Sequence, residues 1–142
     1  MKKVHSQTIF LFLLLFAISI AHCKKAQEQL AKNYVIEVMT KGRWIVQTFT
    51  EDTVDESSYF TPYEFQFTAD GKVYGIEGAN QTQGTWVGDA NAMTIASDFP
   101  TATDTLTKLN DTWKITNSTP TLVEAKPVNP ARVAYLKLVK KP

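Results

Sequence analysis

Tyr63-Glu-Phe-Gln-Phe67 places an aromatic ring on every second residue, with polar side chains between them. A period of two belongs to a β-strand with one buried and one wet face, because successive side chains of a strand point to opposite sides of the sheet. Asp70-Gly71 follows, a dipeptide that favours a tight hairpin turn, and Lys72-Val-Tyr-Gly-Ile76 reads as the returning strand. The same rhythm of short strands and turn residues continues from Gly42 onward. Candidate strands run over 43–50, 60–68, 72–79, 82–88, 91–97, 111–117, 121–126 and 132–139, eight in all. Asp89-Ala-Asn91 turns the chain between the fourth and fifth. Pro120 and Pro127-Val-Asn-Pro130 punctuate the last three, since proline cannot donate to a central ladder. This spacing predicts an all-β sandwich or barrel over residues 42–142.

Two segments depart from the strand pattern. Between Lys24 and Lys41, apolar residues recur as Leu30, Tyr34, Val38 and as Ala31, Val35, Met39, two adjacent rows at four-residue spacing. The rows form one stripe on a helix, with Gly42 as its stop; a strand over Tyr34–Met39 is the alternative. Later, Phe99-Pro100 leads into a threonine-rich stretch holding Leu106 and Leu109, with Thr103 or Asp104 placed to cap a short helix. It reads as a helical crossover covering one barrel end, or else as a loop.

The N-terminus carries an address. Lys2 and Lys3 precede the apolar run Ile9–Ile20, and Ala21-His22-Cys23 follows, the three parts of a secretory signal over residues 1–22. The run is shorter than the ~20 apolar residues a membrane-crossing helix needs. Cys23 is the chain's one cysteine. Its place resembles the lipobox of bacterial lipoproteins, which implies acylation of the thiol and a mature chain starting at Cys23. Ile20 and Ala21 fit that pattern, and His22 departs from the small residue usual there. Ordinary cleavage after Ser19-Ile20-Ala21 is the alternative, giving a secreted protein. In the first case residues 23–41 are an acylated spacer, membrane-bound in the outer membrane or facing the periplasm, and labelled by palmitate at Cys23.

Cleavage before Cys23 leaves 120 residues carrying 13 basic and 14 acidic side chains, a net charge of −1 that gives nucleic acid no purchase. That length suits one domain, and a second has no room. With no cysteine left to pair, the fold relies on apolar burial, for which 13 aromatic residues after the signal are ample. Both histidines, His5 and His22, also leave with the signal. Ser-His-Asp and Cys-His catalysis and histidine-based zinc sites are therefore excluded, no carboxylate pair stands out, and the expectation is a non-enzyme without cofactor or metal. Glu51, Asp52, Asp55 and Glu56 form an acidic loop whose spacing does not fit the Asp-x-Asp-x-Asp-Gly calcium pattern.

The three tryptophans share a local grammar: Gly42-Arg-Trp44-Ile-Val, Gly84-Thr-Trp86-Val-Gly88 and Asp111-Thr-Trp113-Lys-Ile115. Together with the Phe60-to-Phe67 strand, the Asp70-Gly71 hairpin, Phe99-Pro100 and the closing Tyr135-Leu136-Lys-Leu138, their order resembles the lipocalin-like domain family of bacterial lipoproteins. The resemblance covers Met39 to Leu138, although the lipocalins' Thr-Asp-Tyr motif is missing. It implies an eight-stranded antiparallel up-and-down barrel with an N-terminal helix and a short helical crossover. It also implies that Trp44 closes one barrel end with an arginine across its ring, for which Arg132 at the opening of the last strand is the candidate. Tyr63, Phe65, Phe67, Trp86, Trp113, Ile115, Leu136 and Leu138 are the expected inward side chains. Eight strands enclose a space that side chains fill or that holds one small ligand. As a pocket lining these residues suit a small apolar ligand; as core they leave no cavity. The first outcome implies an envelope ligand-binding protein. The second implies a monomeric module that presents its loops to an envelope protein or inhibits a protease.

Overall fold

The computed structural model describes residues 24–142, so the expected signal over residues 1–22 and Cys23 lie outside the described residues. Helix α1 covers residues 24–40. It is followed by β1 (Trp44–Glu51), β2 (Val54–Asp55), a single 3-10 turn (Ser57–Phe60), β3 (Tyr63–Phe67), β4 (Lys72–Glu77), β5 (Asn80–Asp89) and β6 (Thr94–Asp98). The one-turn helix α2 (Asp104–Thr107), β7 (Asp111–Thr119), β8 (Leu122–Pro127) and β9 (Ala134–Lys140) complete the chain. Every strand pairs antiparallel with its neighbour, and β9 returns to β1 from Trp44↔Lys140 to Glu51↔Ala134, which closes an eight-stranded barrel. The two-residue β2 is a ninth, unpredicted strand that pairs only with the end of β1.

Alternation decides which side chains enter the barrel. On β3, Tyr63, Phe65 and Phe67 are buried while Glu64 and Gln66 between them are partly exposed. Gly71 turns the chain with a φ of +81°, a conformation that costs glycine nothing, and Trp86 donates its backbone N–H to the Gly71 carbonyl at 2.9 Å. Asp89 holds the β5–β6 turn by accepting from the backbone N–H groups of Asn91 and Ala92.

The predicted strand over 60–68 starts late. Phe60 belongs to the 3-10 turn, and Pro62, which has no N–H to give a ladder, separates it from β3. As a result β1 meets β3 only at Trp44↔Phe65. The remaining edge of β1 is covered by the 52–60 segment: Phe49 donates its N–H to Ser57 Oγ and its carbonyl accepts from Glu56 N–H, both at 2.9 Å.

The strands define two barrel ends. α1 and the β3–β4, β5–β6 and β7–β8 turns lie at one, and the 52–62 segment, the 99–110 crossover and the 128–133 loop lie at the other. Among the described residues the core side chains, including those of α1 packed on them, fall within residues 35–138.

Candidate functional site

The barrel interior is the first place to look for a site, and it is full. Tyr63, Phe65, Phe67, Trp86, Trp113, Leu136 and Leu138 are all buried there. The void that remains among Phe65, Val73, Phe99, Trp113 and Leu136 measures about 30 Å³, room for a single water molecule. Ile115 differs from the others: it is half-buried beneath α1, lining a 170 Å³ apolar groove with Val35, Val38 and Pro120.

Glycines inside the strands make space for the plugs that fill the barrel. A side chain at Gly75 on β4 would meet Leu106 of α2 at 3.0 Å. At Gly84 on β5 it would meet the Asp98 carbonyl at 2.4 Å and the Phe99 ring at 2.7 Å. At Gly88 it would meet Val35 of α1 at 2.9 Å. Each missing Cβ therefore admits a side chain from a capping element. Asn110 fixes the crossover: its Oδ1 accepts from Phe99 N–H at 2.7 Å. Thr103 stands at the α2 N-cap position with extended backbone, but its side chain makes no capping bond.

The tryptophans tie the caps to the wall. Trp44 Nε1 donates to the Met39 carbonyl of α1 at 2.9 Å, Trp86 Nε1 to the Thr68 carbonyl of the β3–β4 turn at 2.9 Å, and Trp113 Nε1 to the Leu109 carbonyl at 3.0 Å. This is the physical content of their shared sequence pattern: a large apolar body in the core and one donor that satisfies a carbonyl outside the sheet.

The expected Arg132–Trp44 stack is not formed. β9 runs antiparallel to β1, so its last residue, Lys140, meets Trp44, and the Lys140 ammonium lies 5.3 Å from the Trp44 ring centre. Arg132, before the start of β9, sits at the opposite end, with its guanidinium carbon 5.2 Å from the Trp113 ring centre. There it gathers a polar cluster. Its Nη1 donates to Asp111 Oδ2 at 2.9 Å, its Nε to Glu51 Oε1 at 3.0 Å and its Nη2 to the Lys108 carbonyl at 2.7 Å. Lys108 Nζ adds contacts to Glu51 at 3.3 Å and Glu56 at 2.8 Å. Burial pushes the Glu51 carboxyl up, but the hydrogen bonds from Arg132 and Lys108 outweigh it and hold the carboxyl below its ordinary range. The bond to Glu56 pushes the Lys108 ammonium up.

Glu51 and Glu56 of the acidic loop are thus paired with basic groups of the protein, and Asp55 accepts from Ser57 N–H at 2.9 Å. Among the described residues no group of three or more histidine, cysteine or carboxylate side chains is placed to hold a metal ion, and no helix is long and apolar enough to cross a membrane. The larger hollows lie outside the barrel. One of about 500 Å³ separates the first half of α1 from the β5–β6 turn, and one of about 470 Å³ runs over the wall at β5, β6 and β7.

No known family's sequence profile matches the chain, and no curated protein matches it in sequence. Among solved structures it is similar to a DUF4847 family protein from Bacteroides vulgatus ATCC 8482, with a TM-score of 0.54 at 15% identity, over 76% of this chain and 99% of that one. At that identity the likeness shows a shared fold.

Proposed function

We propose that this chain is an exported, non-catalytic protein of the bacterial envelope, anchored through acylated Cys23, which binds a protein partner through its outer surface. The observation that carries this reading is the filled interior. A small-molecule pocket needs roughly 300 Å³, and the void between the aromatic side chains holds about 30 Å³. The apolar-ligand reading that accompanies a lipocalin-like barrel therefore loses its site. What supports export is the sequence before α1: two lysines, an apolar run and a cysteine at its end. The anchor faces the periplasm or lies in the outer membrane, and the barrel is a monomer.

Two measurements test this. Labelled palmitate is incorporated into the wild-type protein, while Cys23→Ser abolishes the label and moves the protein from membranes to the soluble fraction; an unlabelled wild type overturns the anchor. Native mass spectrometry of protein purified from its own cells gives the bare mass of the chain plus its anchor. A reproducible additional apolar mass overturns the ligand-free reading.

A further inference from the structure

The two larger hollows outside the barrel meet at one residue. Val87 lines both, and it is 67% exposed on the outer face of β5. Trp86 is buried, so Thr85, Val87 and Asp89 face outward, and the register sets Ala96 beside Val87 and Thr112 beside Ala96. Ala96 is the shortest outward side chain of β6, between Thr94 and Asp98, which leaves room for the hollow over the wall. From Val87 the other hollow runs past Asp89 to the helix face that carries Lys25, Glu28 and Lys32. The surface thus holds one trough along β5, from the first half of α1 to Asp98 and Asp111.

Its charges are segregated. Lys25 and Lys32 stand two turns apart on one helix face with Glu28 between them, and among the described residues none of the three has an opposite charge within salt-bridge distance. Across the hollow, Asp89 is committed to the backbone N–H groups of Asn91 and Ala92. Two ammoniums therefore face one free carboxylate at this end. At the other end the sign reverses: Asp111 is held by Arg132, while Asp98 has no basic partner among the described residues. Lys114, the next outward residue of β7 after Thr112, donates to the Ala92 carbonyl. The middle of the trough, around Val87 and Ala96, is uncharged.

We infer, resting on the partner-binding reading above, that this trough takes an extended segment of the partner protein. The segment carries carboxylates at the α1 end, an apolar side chain against Val87 and a basic side chain at Asp98. Unpaired charges of opposite sign at the two ends select a segment whose own charges are segregated, because like charges brought together repel. The exposed apolar side chain between them supplies burial. Thr85 to Asp89 covers about 13 Å of strand, so a segment of about seven extended residues overlaps both charged ends.

The experiment uses the protein purified from its own cells and the end-blocked, dye-labelled peptide Glu-Glu-Thr-Val-Thr-Lys-Lys, with binding read by fluorescence anisotropy. The same residues in the order Glu-Lys-Thr-Val-Thr-Lys-Glu are expected to bind about tenfold more weakly. K25E/K32E lowers affinity for the first peptide by about tenfold, and Lys-Lys-Thr-Val-Thr-Lys-Lys restores it. Asp98→Lys and Val87→Thr each lower it by about threefold. All four positions are exposed, so the melting temperature stays unchanged. Equal affinity for the two peptide orders, or binding to neither, overturns the inference. So does a K25E/K32E protein that the all-lysine peptide fails to restore. Concentration-dependent self-association that K25E/K32E abolishes overturns it as well, because the trough would then hold a second copy. In cells, a photo-reactive benzoylphenylalanine at position 87 is expected to crosslink to an envelope protein, and K25E/K32E to abolish the crosslink. Crosslinking at the exposed Val133 position and not at 87 removes the trough and leaves the partner reading standing. Crosslinking at neither removes both.

Discussion

At the α1 end the barrel is closed by apolar contact and one polar tie. Val35 fits over Gly88, Met39 is buried, and Trp44 bonds to the Met39 carbonyl. At the α2 end Leu106 and Phe99 enter over Gly75 and Gly84 in the same way, but a charged cluster lies beside them: Arg132 on Trp113, with Glu51, Asp111 and Lys108 around it. The first cap is one continuous helix and the second a single turn held by long-range ion pairs. A single turn has too few internal hydrogen bonds to persist alone, so the second end depends on its neighbours and the first much less so.

Removing the plugs gives the largest effects. Leu106→Ala is expected to cost about 3 kcal/mol in urea unfolding, because Leu106 is fully buried and the rigid wall at Gly75 cannot collapse onto the cavity. Met39→Ala at the other end is expected to cost about 2 kcal/mol, since the helix can settle toward the barrel. Equal costs would mean that the single turn relaxes as readily as the helix, which would break the comparison.

Next comes the ion cluster. Arg132→Met keeps an apolar stem near Trp113 but leaves Glu51 and Asp111 without their main partner. Uncompensated buried charges cost 3–5 kcal/mol. These side chains are 27% and 17% exposed, so about 2 kcal/mol is expected. Adding Glu51→Gln to Arg132→Met should recover part of that loss, and a double-mutant cycle reads the coupling. Strict additivity would show that the pair contributes nothing of its own.

A smaller effect is expected from Gly88→Ala. The new methyl would lie 2.9 Å from Val35 Cγ1, and since α1 can lift, about 1 kcal/mol is lost. Hydrogen exchange should quicken over residues 24–40 and stay unchanged in β7–β9, and Val35→Ala should restore it. Exchange that quickens throughout would mean that α1 is integral to the barrel and not a separable cap.

These positions also show what the sequence made legible. Alternation at Tyr63, Phe65 and Phe67 and the Asp70-Gly71 turn are local signals, and the strands follow from them. So do the inward aromatics, since period-two burial needs no knowledge of the partner strand. The plugs are not local. Gly75, Gly84 and Gly88 interrupt strands in the sequence, which marks a close approach, but Leu106, Phe99 and Val35 as the approaching groups emerge only from the fold. The Glu51–Arg132 contact joins residues 81 apart. The resemblance pairs Arg132, at the opening of the last strand, with Trp44, but antiparallel pairing with β1 sends the start of β9 to the other end.

The smallest expected effect is a pH dependence to which the α2 end contributes through Glu51 and Lys108. Glu51 is held below its ordinary 4.5 in the folded state, so its contribution is complete above that value and is lost as pH falls through the folded one. Lys108 is held above 10.5, so its contribution is complete below that value and is lost as pH rises through the folded one. The cluster is therefore intact across neutral pH. At the α1 end Asp70 is drawn down to about 2 by Lys72 and Thr68, but it is fully exposed and adds little. Unfolding at neutral pH and at a pH below 4 should thus show wild-type stability falling, with Glu51→Gln removing about 1 kcal/mol or less of that fall. Glu37→Gln at the α1 end should leave the slope as it was. If both substitutions flatten it equally, acid acts on surface pairs throughout the barrel, and the α2 end is not the more electrostatic of the two.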